Sequence, residues 1–151
     1  MKSLRLFITV MCLLPLPVYA KQTTQYFCFK ESQNNVDKLS TDPHLLLISE
    51  EEFPKVKTVQ YYPYMKKISL KFTHYDAVDT AQGRPSEFHD FYKEIINQIE
   101  TGTYEIVYQG AVLYNINYTS KKTKKMTQFD RLYHGDEQIF QKLKQNGVEC
   151  F

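Results

Sequence analysis

The sequence predicts an α+β domain: a mostly antiparallel sheet with one long amphipathic helix, about 86–101, packed on it, and a shorter C-terminal helix, about 136–146. Three stretches carry that expectation. The first is Thr103 to Tyr118, where Tyr104, Ile106, Tyr108, Val112, Tyr114, Ile116 and Tyr118 share one parity, against polar Thr103, Glu105, Gln109, Asn115 and Asn117. A period of two puts alternate side chains on opposite faces of a strand, so this is the expected central strand or strand pair. The parity runs through Gly110, which favours one long strand bent at the glycine over a hairpin, and Gln-Gly is a weaker hairpin signal than Asn-Gly or Asp-Gly. In the second stretch Phe88, Phe91, Tyr92, Ile95, Ile96 and Ile99 recur at helical spacing. Ser86 stands there as N-cap, Glu87 and Asp90 put acid in the first turn, and Gly102 stands past the end. In the third, Asp136 precedes a segment whose Ile139, Phe140 and Leu143 make an apolar face, with Gly147 as its stop.

Taken in order, the chain opens with a segment, 1–20, that reads as a secretory signal peptide. Lys2 and Arg5 form a charged n-region, Leu6 to Leu14 an apolar run, and Val18-Tyr19-Ala20 a cleavage site. That run is too short for a membrane span, which needs roughly twenty apolar residues. Residues 21–151 then form one domain. Tyr26 to Phe29 reads as a first strand, Lys30 to Asp42 as a loop, and His44 to Ile48 as a buried run too short to type. Ser49 to Glu52 looks like a helix start, but Pro54 stops it within a turn. Lys55–Tyr62 and Lys66–Tyr75 alternate as strands, joined by a hairpin loop at Tyr62-Pro63-Tyr64-Met65. Ala77 to Arg84 is a loop. Thr119 to Lys125 is a basic turn, and Met126 to Tyr133 a return strand.

Charge and cysteine content narrow the classes. The chain has 19 basic and 17 acidic residues, and without Lys2 and Arg5 there are 17 of each, a balance that argues against a nucleic-acid binder. Of the three cysteines, Cys12 belongs to the leader, leaving Cys28 and Cys150 near the two ends of the domain. In an oxidising compartment these are expected to form a disulfide, against free thiols or intermolecular pairing. Two cysteines do not make a structural zinc site, and no HExxH, paired CxxC, aspartate-rich calcium loop, GxSxG elbow or phosphate-cradling glycine loop occurs. No metal or other cofactor is therefore expected.

Two groups of residues suit a contact surface. Tyr61, Tyr62 and Tyr64 surround Pro63 in an aromatic loop, and tyrosines beside a rigid proline make contact anchors. Lys121, Lys122, Lys124 and Lys125 form a basic turn suited to an anionic lipid, a glycan or an acidic partner, although such a cluster is more often a solvated hairpin tip. Three histidine–aspartate pairs, His74/Asp76, His89/Asp90 and His134/Asp136, have the composition of a general base and its orienting acid. Such pairs arise readily by chance. The expectation is a small exported binding protein, periplasmic or extracellular, acting as an inhibitor or immunity-type partner of a secreted enzyme or toxin. The alternatives are a small secreted hydrolase using one His/Asp pair, and an envelope-assembly or surface protein holding an anionic lipid or glycan through the basic turn.

Overall fold

A computed structural model describes residues 24–32 and 44–151. The expected signal peptide, and most of the expected loop between Lys30 and Asp42, lie outside the described residues. The described chain contains nine strands and one α-helix: β1 (Gln25–Glu31), β2 (Leu45–Ser49), β3 (Thr58–Tyr62), β4 (Lys67–Val78), β5 (Glu87–Ile96), β6 (Ile99–Gln109), β7 (Val112–Ser120), β8 (Met126–Arg131), α1 (Glu137–Gln145) and β9 (Glu149–Cys150). Each strand from β1 to β8 pairs antiparallel with the next, and β8 returns to pair with β1. Eight strands thus close into an up-and-down barrel, with β9 added in parallel beside the start of β1. Closure leaves few open edges, which is how all-β chains of this size avoid exposed ladders.

This architecture overturns the α+β expectation, and the segment expected as a long helix shows why. Residues 87–96 form β5, Asn97 and Gln98 form a tight turn, and Ile99 begins β6. Both turn residues have positive φ (51° and 65°), as a type I′ hairpin requires. Along β5, Phe88, Asp90, Tyr92 and Glu94 face the barrel interior, while His89, Phe91, Lys93 and Ile95 face outward. Two acids inside and two large apolar residues outside mask the period of two. The apolar residues left over, Phe88, Phe91, Tyr92 and Ile95, then fall by coincidence at helical spacing. Gly102 is not a helix stop but a strand residue of β6, lying under the ring of Tyr118.

The expected single bent strand is likewise a hairpin, β6 and β7, turning at Gly110 with φ of 60°. Its register runs Tyr104↔Tyr118, Ile106↔Ile116 and Val107↔Asn115, then slips to Tyr108↔Leu113. That bulge leaves Tyr114 unopposed and reverses the parity, so Leu113 is fully buried and Val112 is exposed. The even-numbered apolar run therefore never shared one face.

Other expectations hold. Strands occur at Tyr26–Phe29, Lys55–Tyr62, Lys66–Tyr75 and Met126–Tyr133 within a few residues, and Glu50–Glu52 is a single 3₁₀ turn before Pro54. The run from Leu45 to Ile48 lies in β2, which is buried on both faces. Leu46 and Ile48 point into the barrel, with Phe27, Phe29, Val59, Tyr104, Ile106, Leu113, Ile116 and Phe129. Leu45 and Leu47 point outward and pack with Leu132, Ile139, Phe140, Leu143 and Val148 beneath α1. Gly147, at φ of 75°, ends that helix and turns the chain into β9. Cys150 there is bonded to Cys28 of β1. The bridge spans 122 residues, and by chain entropy a loop of that length is worth about 4–5 kcal/mol.

Candidate functional site

In an up-and-down barrel the hairpin connections alternate between two ends. The β3–β4, β5–β6 and β7–β8 turns lie at one end, and the β2–β3, β4–β5 and β6–β7 connections at the other. Strand β5 carries one buried carboxylate toward each end: Glu94 near the first and Asp90 near the second. Four residues of strand separate them by about 13 Å. Relative exposures are 4% for Glu94 and 7% for Asp90, so both are inside the protein.

Glu94 is fully served. Thr101 Oγ1 and Tyr118 Oη donate to its Oε1 at 2.6 and 3.0 Å, and Tyr104 Oη donates to its Oε2 at 2.9 Å. Since Tyr104 gives its proton to Glu94, the Tyr61 hydroxyl, 2.8 Å away, donates to Tyr104 in turn. Burial raises the Tyr104 pKa far above its ordinary value, with Tyr61 and Glu94 adding to the shift, and raises Tyr118 to about 12. These phenols stay protonated and act as fixed donors. Three charge-assisted hydrogen bonds offset the burial of one carboxylate. Glu94 therefore ties β5, β6 and β7 together directly, and β3 through the Tyr61–Tyr104 bond.

Asp90 is poorly served. Its only side-chain hydrogen bonds among the described residues are from Tyr92 Oη at 3.3 Å and Tyr108 Oη at 3.5 Å, both at the long limit. Tyr92 is itself buried, with Phe72 edge-on against its ring. Burial pushes the Asp90 carboxyl above the usual aspartate range, and the two phenols only partly counter it.

Asp90 also lines a cavity of about 560 Å³, with Leu70, Phe72, Tyr75, Phe88, Tyr92, Tyr108 and the segment Pro54 to Lys57. The cavity exists because the wall of the barrel parts there. Strand β3 pairs with β4 only from Gln60↔Lys67 to Thr58↔Ser69, followed by one bond from Leu70 N–H to the Lys57 carbonyl. Strand β4 continues to Val78 against β5 alone. A bulge between Phe72 and His74 resets its parity, so Phe72 and Tyr75 both face inward. They are 50% and 62% exposed, large rings held at an open slot. Phe72 packs edge-on against Tyr92, and Phe88 stacks on Tyr108, which meets Phe53 edge-on. The site is an aromatic slot with one under-bonded carboxylate at its floor and Lys55 and Lys57, both exposed, at its rim.

The residues singled out from sequence lie elsewhere. Tyr64 is 85% exposed, but Tyr61 enters the barrel to bond Tyr104, and Tyr62 packs in the cluster beneath α1. Lys121, Lys122, Lys124 and Lys125 are exposed in the β7–β8 turn, where Lys121 Nζ lies 3.6 Å from Glu100 Oε1. Both groups therefore sit at the end opposite Asp90, where Tyr61, Tyr64, Lys66 and Ile96 line a second cavity of about 410 Å³. The histidine pairs do not assemble. His89 faces out and Asp90 in; His89 lies between Glu105 at 2.7 Å and Glu87 at 2.9 Å. Burial alone would lower its pKa, but these two carboxylates outweigh that and raise it. His74 stacks on Phe91, and its nearest polar contact is Thr73 Oγ1. Asp136 pairs with Lys30 and accepts from the Tyr133 N–H, with His134 outside that arrangement.

Sequence reasoning missed the slot. The signal was the string Phe88-x-Asp90-x-Tyr92-x-Glu94, an aromatic–acid alternation of period two. Among the described residues, no group of three or more His, Cys, Asp or Glu is arranged to hold a metal ion, and no helix is long and apolar enough to cross a membrane. No family model matches the chain, and neither a curated protein nor a solved structure is detectably similar to it.

Proposed function

We propose that this is an exported binding protein whose barrel takes a small, largely apolar molecule into the slot between Pro54–Lys57 and β4. The observation that carries the reading is the cavity itself: about 560 Å³, walled by Phe72, Tyr75, Phe88, Tyr92 and Tyr108. That volume lies within the roughly 300–1,000 Å³ of small-molecule sites, and an eight-stranded barrel is just wide enough to hold one such ligand. Large aromatic residues left half-exposed on a concave face have lost burial energy that a ligand would restore. Export is supported by the leader-like segment 1–20 and by the Cys28–Cys150 bridge, which persists in oxidising compartments.

Titration with the neutral, environment-sensitive dye Nile red tests this reading. One dye should bind per chain with enhanced emission, and Phe72→Arg should weaken it roughly tenfold or more by placing a charge in the slot. Tyr64→Ala, at the far end, should leave dye binding unchanged. Equal binding by the wild type and Phe72→Arg would contradict a site in this slot.

A second reading keeps a protein partner, as an inhibitor or immunity-type protein would have. The topology favours it at one place, where exposed Tyr64, Ile96 and Ile99 share an end with the basic turn. Tyr64→Ala should then lower affinity for a partner captured from the native compartment by about 1–2 kcal/mol, with melting temperature unchanged. Unaltered affinity would remove this end from consideration.

A further inference from the structure

We propose that the slot selects an amine: a small aromatic or aliphatic molecule whose ammonium group is received by Asp90. This rests on the slot being a ligand site and names what it reads. Asp90 is more than nine-tenths buried, lines the cavity, and has only two long bonds, at 3.3 and 3.5 Å. An ionised carboxylate needs several short donors when it leaves water, as Glu94 receives from three hydroxyls. Tyr92 is buried with Phe72 edge-on against it, and Tyr108 is packed against Phe53 and Phe88, so both rings are fixed by their neighbours. The remaining acceptor capacity of Asp90 is open to a donor that enters the cavity.

An ammonium group suits Asp90 better than a neutral donor. It brings a full charge to a carboxylate screened from water, so the Coulomb attraction of an ion pair adds to a hydrogen bond that an alcohol would also make. The slot is also lined by aromatic residues, Tyr75 among them, the class of side chain whose ring attracts a cation. An anion would meet the Asp90 charge with no donor on the floor to receive it. Lys55 and Lys57 are exposed, so their charges are screened by solvent and lie at the entrance rather than the floor.

Three probes of matched shape separate the outcomes: phenethylamine, phenethyl alcohol and hydrocinnamate, each titrated by calorimetry and by displacement of Nile red. The amine should bind roughly tenfold tighter than the alcohol, and Asp90→Asn should bring it down to the level of the alcohol. The alcohol should bind wild type and variant alike. Should the variant fail to fold, the wild type still decides through pH. Protonation of Asp90 removes the preference for the amine, and since burial raises its pKa the loss begins at higher pH than for an ordinary aspartate. The other titratable groups that line the slot with Asp90 are Tyr75, Tyr92, Tyr108, Lys55 and Lys57, and His89 lies on the outer face. Alcohol affinity should stay flat over the same range.

Equal affinities for amine and alcohol, a pH-independent ratio, or tightest binding of hydrocinnamate would overturn the amine assignment while the slot stands. Nile red binding with none of the three probes displacing it has the same meaning. If neither dye nor probe binds, the slot reading itself has failed.

Discussion

Glu94 and Asp90 share a strand, a face and almost the same burial, yet they live in opposite conditions. Around Glu94 the barrel is closed, and Thr101, Tyr104 and Tyr118 deliver three hydroxyl protons at 2.6–3.0 Å. Around Asp90 the β3–β4 ladder has parted, and two phenols reach it only at 3.3 and 3.5 Å. The contrast teaches that burial of a charge does not by itself mark a site. What separates framework from site is whether the protein has already satisfied the group. A satisfied carboxylate stiffens the fold; an unsatisfied one beside a cavity retains binding capacity.

The contrast can be broken from the Glu94 side without touching the carboxylate. A Cβ on Gly102 would stand 2.6 Å from the Tyr118 hydroxyl oxygen and 2.7 Å from Cζ, so Gly102→Ala must push that ring away from Glu94. Loss of one buried charge-assisted bond plus repacking should lower stability by about 2–4 kcal/mol, read by chemical denaturation. Binding at the slot, at the other end of β5, should survive in the folded fraction. A loss under about 0.5 kcal/mol, the scale of an ordinary surface change, would mean the Glu94 cluster is not the framework it looks like.

The Asp90 side is sharpened by pH. Burial raises the Asp90 pKa above its unfolded value, so between those two values the native state binds more protons than the unfolded chain. Asp90 therefore lowers stability above its folded pKa, and that penalty fades as pH falls toward the unfolded value. Asp90→Asn should be more stable than wild type at neutral pH, by about 1 kcal/mol or less, with the gap closing on acidification. A gap that widens in acid would have the wrong sign. The smallest effect belongs to the hairpin tip beyond Glu94. Gln98 holds φ of 65°, a conformation that glycine adopts without strain, so Gln98→Gly should raise stability by about 0.5–1 kcal/mol in thermal melts.

What was legible in the sequence was local. The strands from Lys55 and Lys66, the turn before Pro54, α1 and the Cys28–Cys150 pairing each follow from residues whose pattern agrees with their environment. The middle of the barrel was not legible, because β5 turns two acids inward and a bulge at Tyr114 flips the face of β7. Closure of β8 onto β1 joins Phe29 to Arg131, a contact no local pattern announces. The slot was hidden for a related reason. Its residues come from β4, β5, β6 and the segment ahead of β3, and only the early end of the β3–β4 ladder brings them to one opening. The hydroxyls of Tyr92, Tyr104, Tyr108 and Tyr118 serve the two carboxylates and Tyr61 bonds Tyr104, while Tyr64 stands exposed at the far end.

The most direct test pairs two near-isosteric changes on one strand, Glu94→Gln and Asp90→Asn, compared by equilibrium denaturation at neutral pH. Unequal service of the two carboxylates predicts that Glu94→Gln loses about 2 kcal/mol or more, since its amide nitrogen would face a hydroxyl donor. Asp90→Asn should be neutral or slightly stabilising, since an under-bonded buried charge has been removed. Equal losses at both positions would contradict the distinction between a satisfied carboxylate and an under-bonded one.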